Sequence, residues 1–448
     1  MKKLEVHFTR GPGDSMPVGT LVDDGGQVYF QYAPEFLATG LNLSPFCLPF
    51  EAGLFEHADR DFGPLPGVFD DSLPDGWGLL LMDRHFRSRG LNLSQISPLD
   101  RLSWLGTRTM GALTYHPPAS REDIDASVFD LHDLARQSQE ILAGAAVDVL
   151  PQLLRAGGSP GGARPKVLVG FDAVAGVVIS GEDDLPDGFE HWIVKFAARP
   201  DTPDSGAVEH AYSLMAAAAG IDMPPTRLFE TSEGDRFFGV KRFDRVGSTP
   251  SSPRVGNRRY HVHTFGNLIQ SNFRIPSADY ADLLKATSLL TRNHRDVLRA
   301  FSRMAFNVVA HNRDDHVKNF AFILNDTASA ASHPGEQSPA AARTPSGPGT
   351  PSGDGLPSGD WTLSPAYDLL FTPGPGGEHT MTLAGEGKNP GRAQMLALAQ
   401  RAGVSNRDAD AIIEQVRAAV SHWPDFAAQA GVSQAATRQI AHELPGLA

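Results

Sequence analysis

The sequence predicts an α+β chain with a β-containing N-terminal subdomain, a strand-rich small lobe and a mostly helical large lobe. Three observations carry this expectation. Short alternating segments bounded by turn signals recur through the first 245 residues. From Ala281 onward the apolar residues recur mainly at helical spacing. Between a helical stripe and a strand lies a crowded polar stretch, "NRDDHVKN" (residues 312–319).

The composition bounds what the chain does. It has 448 residues, 41% hydrophobic and 20% charged, an ordinary globular balance. At about 150 residues per domain, two or three domains are expected. A chain of that length builds a core without covalent staples. Cys47 is the only cysteine, which excludes a disulfide framework and a cysteine zinc site and points to a reducing, cytoplasmic compartment. The start, "MKKLEVHFTRGPG", lacks the apolar region of a signal peptide. Apolar runs such as "GLLLM" (residues 78–82) fall far short of the roughly 20 residues of a membrane span. A net charge of −13 makes unaided nucleic-acid binding unfavourable, so DNA would be met only through a basic partner.

The elements follow in order. "DDGGQ" (residues 23–27) signals a hairpin turn, and "VYFQY" (28–32) reads as its second strand. "APEFLATG" (33–40) reads as a short helix closed by glycine, and "RTMGALTYHP" (108–117) as a strand. These make a first unit of residues 1–120. A second, 121–245, holds the helix "DLHDLARQSQEILAG" (130–144), a glycine loop, and the strands "KVLVGFD" (166–172), "HWIVKFAA" (191–198) and "RFFGVKRFDR" (236–245). The helix "AVEHAYSLMAAAAGIDMPP" (207–225) is stopped by Gly220 and two prolines. The third unit, 246–448, is mainly helical. Residues 325–360, almost entirely Pro, Gly, Ser, Ala and Thr, read as a disordered insertion between strands, since they bury too little apolar surface to offset their ordering entropy. "RAGVSN" (401–406) and "QAGVSQ" (429–434) resemble a DNA-reader turn, but the acidic helix after Ser405 favours a plain boundary: glycine ends one helix and serine caps the next.

The chemistry centres on residues 312–319. Leu298, Phe301, Ala305 and Val308 form a helical stripe before them, and "NFAFIL" starts a strand after them. Helix, charged loop and strand are the setting of a kinase catalytic loop, H-R-D-x-x-x-x-N. Arg313, Asp314 and Asn319 keep that spacing, with Asn312 in place of the histidine. In this register Asp314 is the base for an attacking hydroxyl and Asn319 faces a metal. Asp315 points away or caps the loop, and Lys318 neutralises phosphate charge. The plain alternative is a charged surface turn.

A kinase reading requires companions in a fixed order. "GGSPGGARPK" (157–166) supplies a glycine loop followed by Lys166, without the Gly-Lys-Ser/Thr of a P-loop. Lys195 lies inside an apolar strand and needs a partner or a ligand. Glu209 opens a helix fourteen positions later and suits that partner, although a helix dipole also explains it. Asp368 in "LSPAYDLLF" suits Mg²⁺ held against phosphates, or a helix cap. Five elements in the correct order favour a nucleotide-dependent phosphotransferase.

The chain resembles the HipA family of bacterial serine/threonine kinases, the toxins of type II toxin–antitoxin pairs. "VFDDSLPDGWGLLLMDR" (68–84) and "RTMGALTY" (108–115) resemble the family's N-terminal subdomain. "GGARPKVLV" (161–169), "VKRFDR" (240–245), "RDDHVKNFAF" (313–322) and "LSPAYDL" (363–369) resemble its kinase core. The resemblance implies a two-lobed protein-kinase-like fold, with the N-terminal subdomain packed on the small lobe. It implies ATP and Mg²⁺ as cofactors, with Gly161, Gly162, Ala163, Lys166, Lys195 and Glu209 around the phosphates. Lys241, Arg242 and Phe243 fall at the adenine-contacting hinge, Asp314 and His316 in the catalytic loop, and Asn319 and Asp368 at the metal. Ser159 takes the place of an autophosphorylated serine whose phosphate would eject the glycine loop. Further expectations are a protein substrate in translation, such as an aminoacyl-tRNA synthetase, and a HipB-like helix-turn-helix antitoxin carrying the DNA contact.

The chain departs from the family at "YHVHTFGNL" (260–268), where many members carry Gln-Glu-Asp. His261 and His263 would share a strand face there and read as structural or substrate-proximal rather than as a metal pair. Two other readings stand beside the kinase: a kinase-like scaffold that docks an antitoxin or effector, and a small-molecule kinase of related fold. Intact Lys195, Asp314, Asn319 and Asp368 argue against the scaffold.

Overall fold

The computed structural model describes residues 1–119, 129–145, 151–158, 161–198, 203–247, 257–325 and 360–444. Strands β1 (Lys2–Gly11), β2 (Asp14–Asp24), β3 (Gln27–Tyr32), β4 (Phe55–His57) and β5 (Leu113–His116) form one antiparallel sheet in the order β4-β3-β2-β1-β5. Gly25 and Gly26 close the expected hairpin, and both have the positive φ that such a two-residue turn demands. The strand expected over residues 108–117 is shorter. Gly111 turns left-handed, and its N–H goes to the Asp244 carboxylate (2.8 Å) instead of to a neighbouring strand.

The small lobe is a second antiparallel sheet of β6 (Lys166–Asp172), β7 (Val177–Ser180), β8 (Glu190–Lys195), β9 (Thr226–Glu230) and β10 (Arg236–Lys241), in the order β7-β6-β8-β10-β9. Its buried face alternates Val167, Val169 and Phe171 on β6 with Trp192 and Val194 on β8. Helices Leu131–Leu142 and Pro151–Gly157 contribute Leu134, Ile141 and Leu153 to the same core. The β6–β8 register sets Lys166 opposite Lys195.

Two short strands, β11 (Arg245–Val246) and β12 (Arg258–Arg259), lead into the large lobe. There β13 (His261–Thr264), β14 (Ala321–Asn325) and β15 (Asp360–Leu363) form a three-stranded sheet in that order. Strands β14 and β15 pair directly up to Asn325 opposite Asp360, so the low-complexity segment is an excursion within a hairpin, not a domain boundary. Residues 326–359 themselves lie outside the described residues. Helices Tyr280–Thr291, His294–Val309, Arg392–Arg401, Asn406–Ser421, Trp423–Gln429 and Gln434–Glu443 complete the lobe. Both Ala-Gly-Val-Ser turns are the helix boundaries expected: Gly403 and Gly431 have positive φ, and Ser405 and Ser433 accept the N–H of Asp408 and Ala436. No helix among the described residues is long and apolar enough to cross a membrane.

The N-terminal subdomain was expected to pack on the small lobe, but it straddles both lobes. Val6, Phe8 and Phe30 of its sheet share a continuous apolar core with Phe265, Phe301 and Phe306 of the large lobe. Helix Gly76–Ser88 instead sends Trp77 and Leu81 into the small-lobe core. Polar bonds reinforce the first contact. The Asp71 carboxylate accepts from Thr264 N–H (2.9 Å), Thr264 Oγ1 (2.7 Å) and His263 Nδ1 (2.6 Å). His261 donates from Nε2 to the Leu43 carbonyl (3.0 Å), and burial pushes its pKa down to about 4. Both histidines therefore hold the subdomains together, which is the structural half of their expected role.

Candidate active site

The site begins at Lys195, the last residue of the central strand β8, which pairs with β6 on one side and β10 on the other. Its Nζ lies 2.5 Å from Glu209 Oε1 and 2.5 Å from Asp368 Oδ1. Strand β8 delivers the lysine, helix Ser205–Ala218 the glutamate, and the segment after β15 the aspartate. Burial alone would discharge Lys195, but Asp368 and Glu209 outweigh it and hold the ammonium above its usual range. Asp368 responds in the opposite sense: burial opposes its charge, yet Lys195 and Lys166 hold the carboxyl far below the usual carboxylate range. Asp368 adopts φ +57, a conformation that L residues enter rarely and that aspartate tolerates better than most. The glutamate helix is itself tied to the end of helix His294–Val309, since Tyr212 OH donates to the Ala310 carbonyl (2.8 Å).

Residues 311–319 form the second half. Helix His294–Val309 ends, His311 turns left-handed, and Asn312 donates to Asn307 Oδ1 (3.0 Å) and Asp368 O (3.4 Å). The N–H groups of Arg313 and Asp314 both donate to Thr372 Oγ1, at 2.7 and 2.9 Å. These bonds turn two adjacent carboxylates in opposite directions. Asp314 is exposed, whereas Asp315 is fully buried and accepts from Tyr280 OH (2.8 Å), His379 Nδ1 (2.8 Å) and Thr380 N–H (2.9 Å). The expectation that Asp315 points away is met, and its job is to anchor the loop. Asn319 Nδ2 donates to the Asp314 carbonyl (2.7 Å), which leaves the amide oxygen as the atom for a cation. Partial desolvation raises the Asp314 pKa; His316 counters this and Asp368 adds to it. His316 stands beside Phe273, with ring centres 5.5 Å apart. Tyr367 OH donates to the Lys318 carbonyl (2.7 Å), joining the Asp368 segment to the loop.

The glycine loop and hinge complete the site. Gly162 has φ +95, which favours glycine, and a Cβ there would crowd Lys166 Nζ. Lys166 is buried and donates to the Gly161 carbonyl (2.6 Å); burial and the nearby Lys195 lower its pKa. Ala163 is exposed beside Gly162. Two of the side chains at the expected hinge are paired within the protein. Lys241 Nζ pairs with Glu190 (2.6 Å), and the buried Arg242 makes two bonds to Asp244 (2.8 and 2.7 Å). Their N–H groups go to Pro225 and His191 carbonyls. The Phe243 ring centre lies 5.7 Å from that of Tyr367, the residue before Asp368. Ser159 lies outside the described residues.

The residues fit a nucleotide with a hard cation. Asn319 and Asp368 offer oxygen donors, and Lys166 and Lys195 offer cations for phosphates. Among the described residues no cluster of three or more His, Cys, Asp or Glu could hold a metal by itself. Mg²⁺ commonly takes one or two protein ligands and completes its shell with substrate phosphates and water. The buried His316 Nδ1, which lacks a hydrogen-bond partner, is a further polar atom at this site.

Fold and site together define an α+β protein of kinase-like architecture with an added N-terminal subdomain. The model of the HipA-like C-terminal domain matches residues 158–333 and 353–423, and that of the HipA N-terminal domain matches residues 13–116. The chain belongs to the HipA family. The HipA chain in a complex of the Shewanella oneidensis MR-1 toxin–antitoxin proteins HipA and HipB with operator DNA is similar in fold. It has a TM-score of 0.64 and 16% identity, with 98% of this chain and 94% of that chain covered. The Helicobacter pylori proinflammatory kinase CtkA matches at a TM-score of 0.31 and 11% identity, over 56% of this chain and 92% of that one. No curated protein matches the sequence.

Sequence reasoning missed Thr372, Tyr280 and His379, which hold the loop, and Asp75, which reaches it from the N-terminal subdomain. The acids of "FDDSLPDG" were the available signal for Asp75, but nothing local in that segment says what it touches.

Proposed function

We propose that this chain is an ATP- and Mg²⁺-dependent serine/threonine protein kinase of the HipA type. The observation that carries the reading is the Lys195 ammonium held between Glu209 and Asp368, with Asp314 and Asn319 on the adjoining loop. Bound MgATP supplies the phosphoryl group that is transferred. Lys195 and Lys166 bind the phosphates, while Asn319 and Asp368 hold the cation. Asp314 orients a serine or threonine hydroxyl and accepts its proton, a role worth about 10²–10⁴-fold in rate. His316 supports the Asp314 charge from within the loop. Most of the remaining acceleration comes from positioning and charge stabilisation.

The finer reading follows from family membership. The chain acts as a toxin on a component of translation, such as an aminoacyl-tRNA synthetase, in the cytoplasm. A HipB-like helix-turn-helix antitoxin is its partner, and the similar fold in a HipA–HipB–operator complex supports this. With a net charge of −13 the chain reaches DNA only through that partner. Phosphate on Ser159, beside the glycine loop, would oppose nucleotide phosphates and switch the enzyme off. Phosphopeptide mapping after incubation with MgATP and a bacterial lysate tests the reading. It predicts phosphate on Ser159 and on a translation protein, and modification confined to small metabolites would instead support a metabolite kinase.

A further inference from the structure

We infer that Asp75, a residue of the N-terminal subdomain, is a positioning residue for the nucleotide phosphates, because it fixes the glycine loop relative to the catalytic loop. The inference rests on the kinase reading above. Asp75 occupies the N-cap position of helix Gly76–Ser88, yet its carboxylate makes no capping bond to that helix. An N-cap aspartate ordinarily accepts an N–H from its own first turn. Here Oδ1 accepts the N–H of Gly162 instead, 87 positions away. Oδ2 lies 3.7 Å from Lys318 Nζ in the catalytic loop. One carboxylate thus touches a loop from each lobe.

The backbone around it is shaped for the same contact. Trp77 N–H donates to the Gly162 carbonyl (2.9 Å). Gly76 has φ +44, and a Cβ there would meet Gly162 O at 2.6 Å and the Ala163 Cα at 2.7 Å. Lys318 is held on its other sides by Asp70, also 3.7 Å from Nζ, and by the Phe273 ring at 4.9 Å. The segment is secured to the large lobe through Asp71 and Gly67, whose absent Cβ lets the Asn267 backbone approach. Asp75 therefore transmits a fixed large-lobe position to the loop that covers the phosphates. A pre-set loop has less freedom to lose when nucleotide binds.

The alternative has the opposite sign. If the carboxylate merely occupies ground that a phosphate must take, removing it would tighten nucleotide binding. Hydrogen exchange and MgATP binding on the full-length protein separate the two. Asp75→Ala is expected to speed exchange of the amides at residues 161–166 in the nucleotide-free protein. It should weaken MgATP binding and raise the KM for ATP about five- to twentyfold, with kcat within about threefold. Asp75→Asn keeps the Oδ1 acceptor and should recover most of the exchange protection and affinity, which a purely folding defect would not predict. If Asp75→Ala fails to fold, Asp75→Ser takes its place: serine caps its own helix but is too short to keep the Gly162 bond, and the same faster exchange and weaker binding are expected. Unchanged exchange with unchanged or tighter MgATP binding in Asp75→Ala overturns it. Absence of MgATP binding by the wild-type protein would instead remove the kinase reading, while exchange would still test the Asp75 contact.

Discussion

Lys195 and Asp368 meet at 2.5 Å although 173 positions separate them in the chain. The contact closes only if the small-lobe sheet, the β14–β15 hairpin and the 311–319 loop are all in place, so it reports on the assembled site. Replacing Lys195 by Met would leave Glu209 and Asp368 as neighbouring unpaired carboxylates. A fully buried broken pair costs about 3–5 kcal/mol, and partial exposure of Asp368 reduces this to roughly 2–3 kcal/mol. The pH dependence has a defined sign. Asp368 is depressed in the fold, so its stabilisation is complete above the ordinary 3.8 and fades as pH falls below that value. Urea melts should therefore show a wild-type advantage at pH 7 that shrinks below pH 3.8.

The two adjacent aspartates should separate cleanly. Asp314 is exposed and Asp315 is buried with four partners, Tyr280, His379, Thr380 and Met381. Asp314→Asn is expected to lower kcat about 10²–10⁴-fold with the thermal midpoint unchanged. Asp315→Ala strands Tyr280 OH, His379 Nδ1 and the Thr380 N–H, which costs on the order of 2–4 kcal/mol. Calorimetry beside a phosphotransfer assay checks both.

The pH–rate profile follows from the raised pKa of Asp314. A base must be deprotonated to act, so kcat should fall on the acid side at a pH above the ordinary carboxylate value of 3.8. An acid limb below that value, or none, would argue against Asp314 as the titrating group.

The insertion is expected to be dispensable for folding and transfer. Asn325 already pairs with Asp360, so a two-residue turn can replace residues 326–359. The shorter loop has less closure entropy to lose, and the thermal midpoint should stay level or rise by a few degrees. A lost β14–β15 pairing would appear as a lower midpoint and a less soluble protein.

The parts of the site that were legible in the sequence are those set by local spacing. Asp314 and Asn319 share one loop, and Lys195 and Asp368 each sit in an apolar segment where a charge needs a reason. Glu209 followed from its place in a helix after that strand. The fold class was legible because strand alternation and helical stripes occupy different stretches of the chain. Contacts between subdomains were not legible. Lys241 and Arg242 fall at the expected hinge, and their pairing with Glu190 and Asp244 depends on β8–β10 register and on a buried turn. Asp75 reads as an ordinary helix cap until the glycine loop is placed against it. Asp315 was legible as the residue that points away or caps the loop, but its partners Tyr280 and His379 lie 35 and 64 positions away.

The most direct test of the central claim is transfer of label from γ-labelled ATP with Mg²⁺, comparing the wild-type protein with Asp314→Asn. Label is expected on serine or threonine, in the chain itself or in a lysate protein, with the wild type and almost none with the variant. Equal labelling by both proteins, or none by a wild-type protein that binds MgATP, would contradict it.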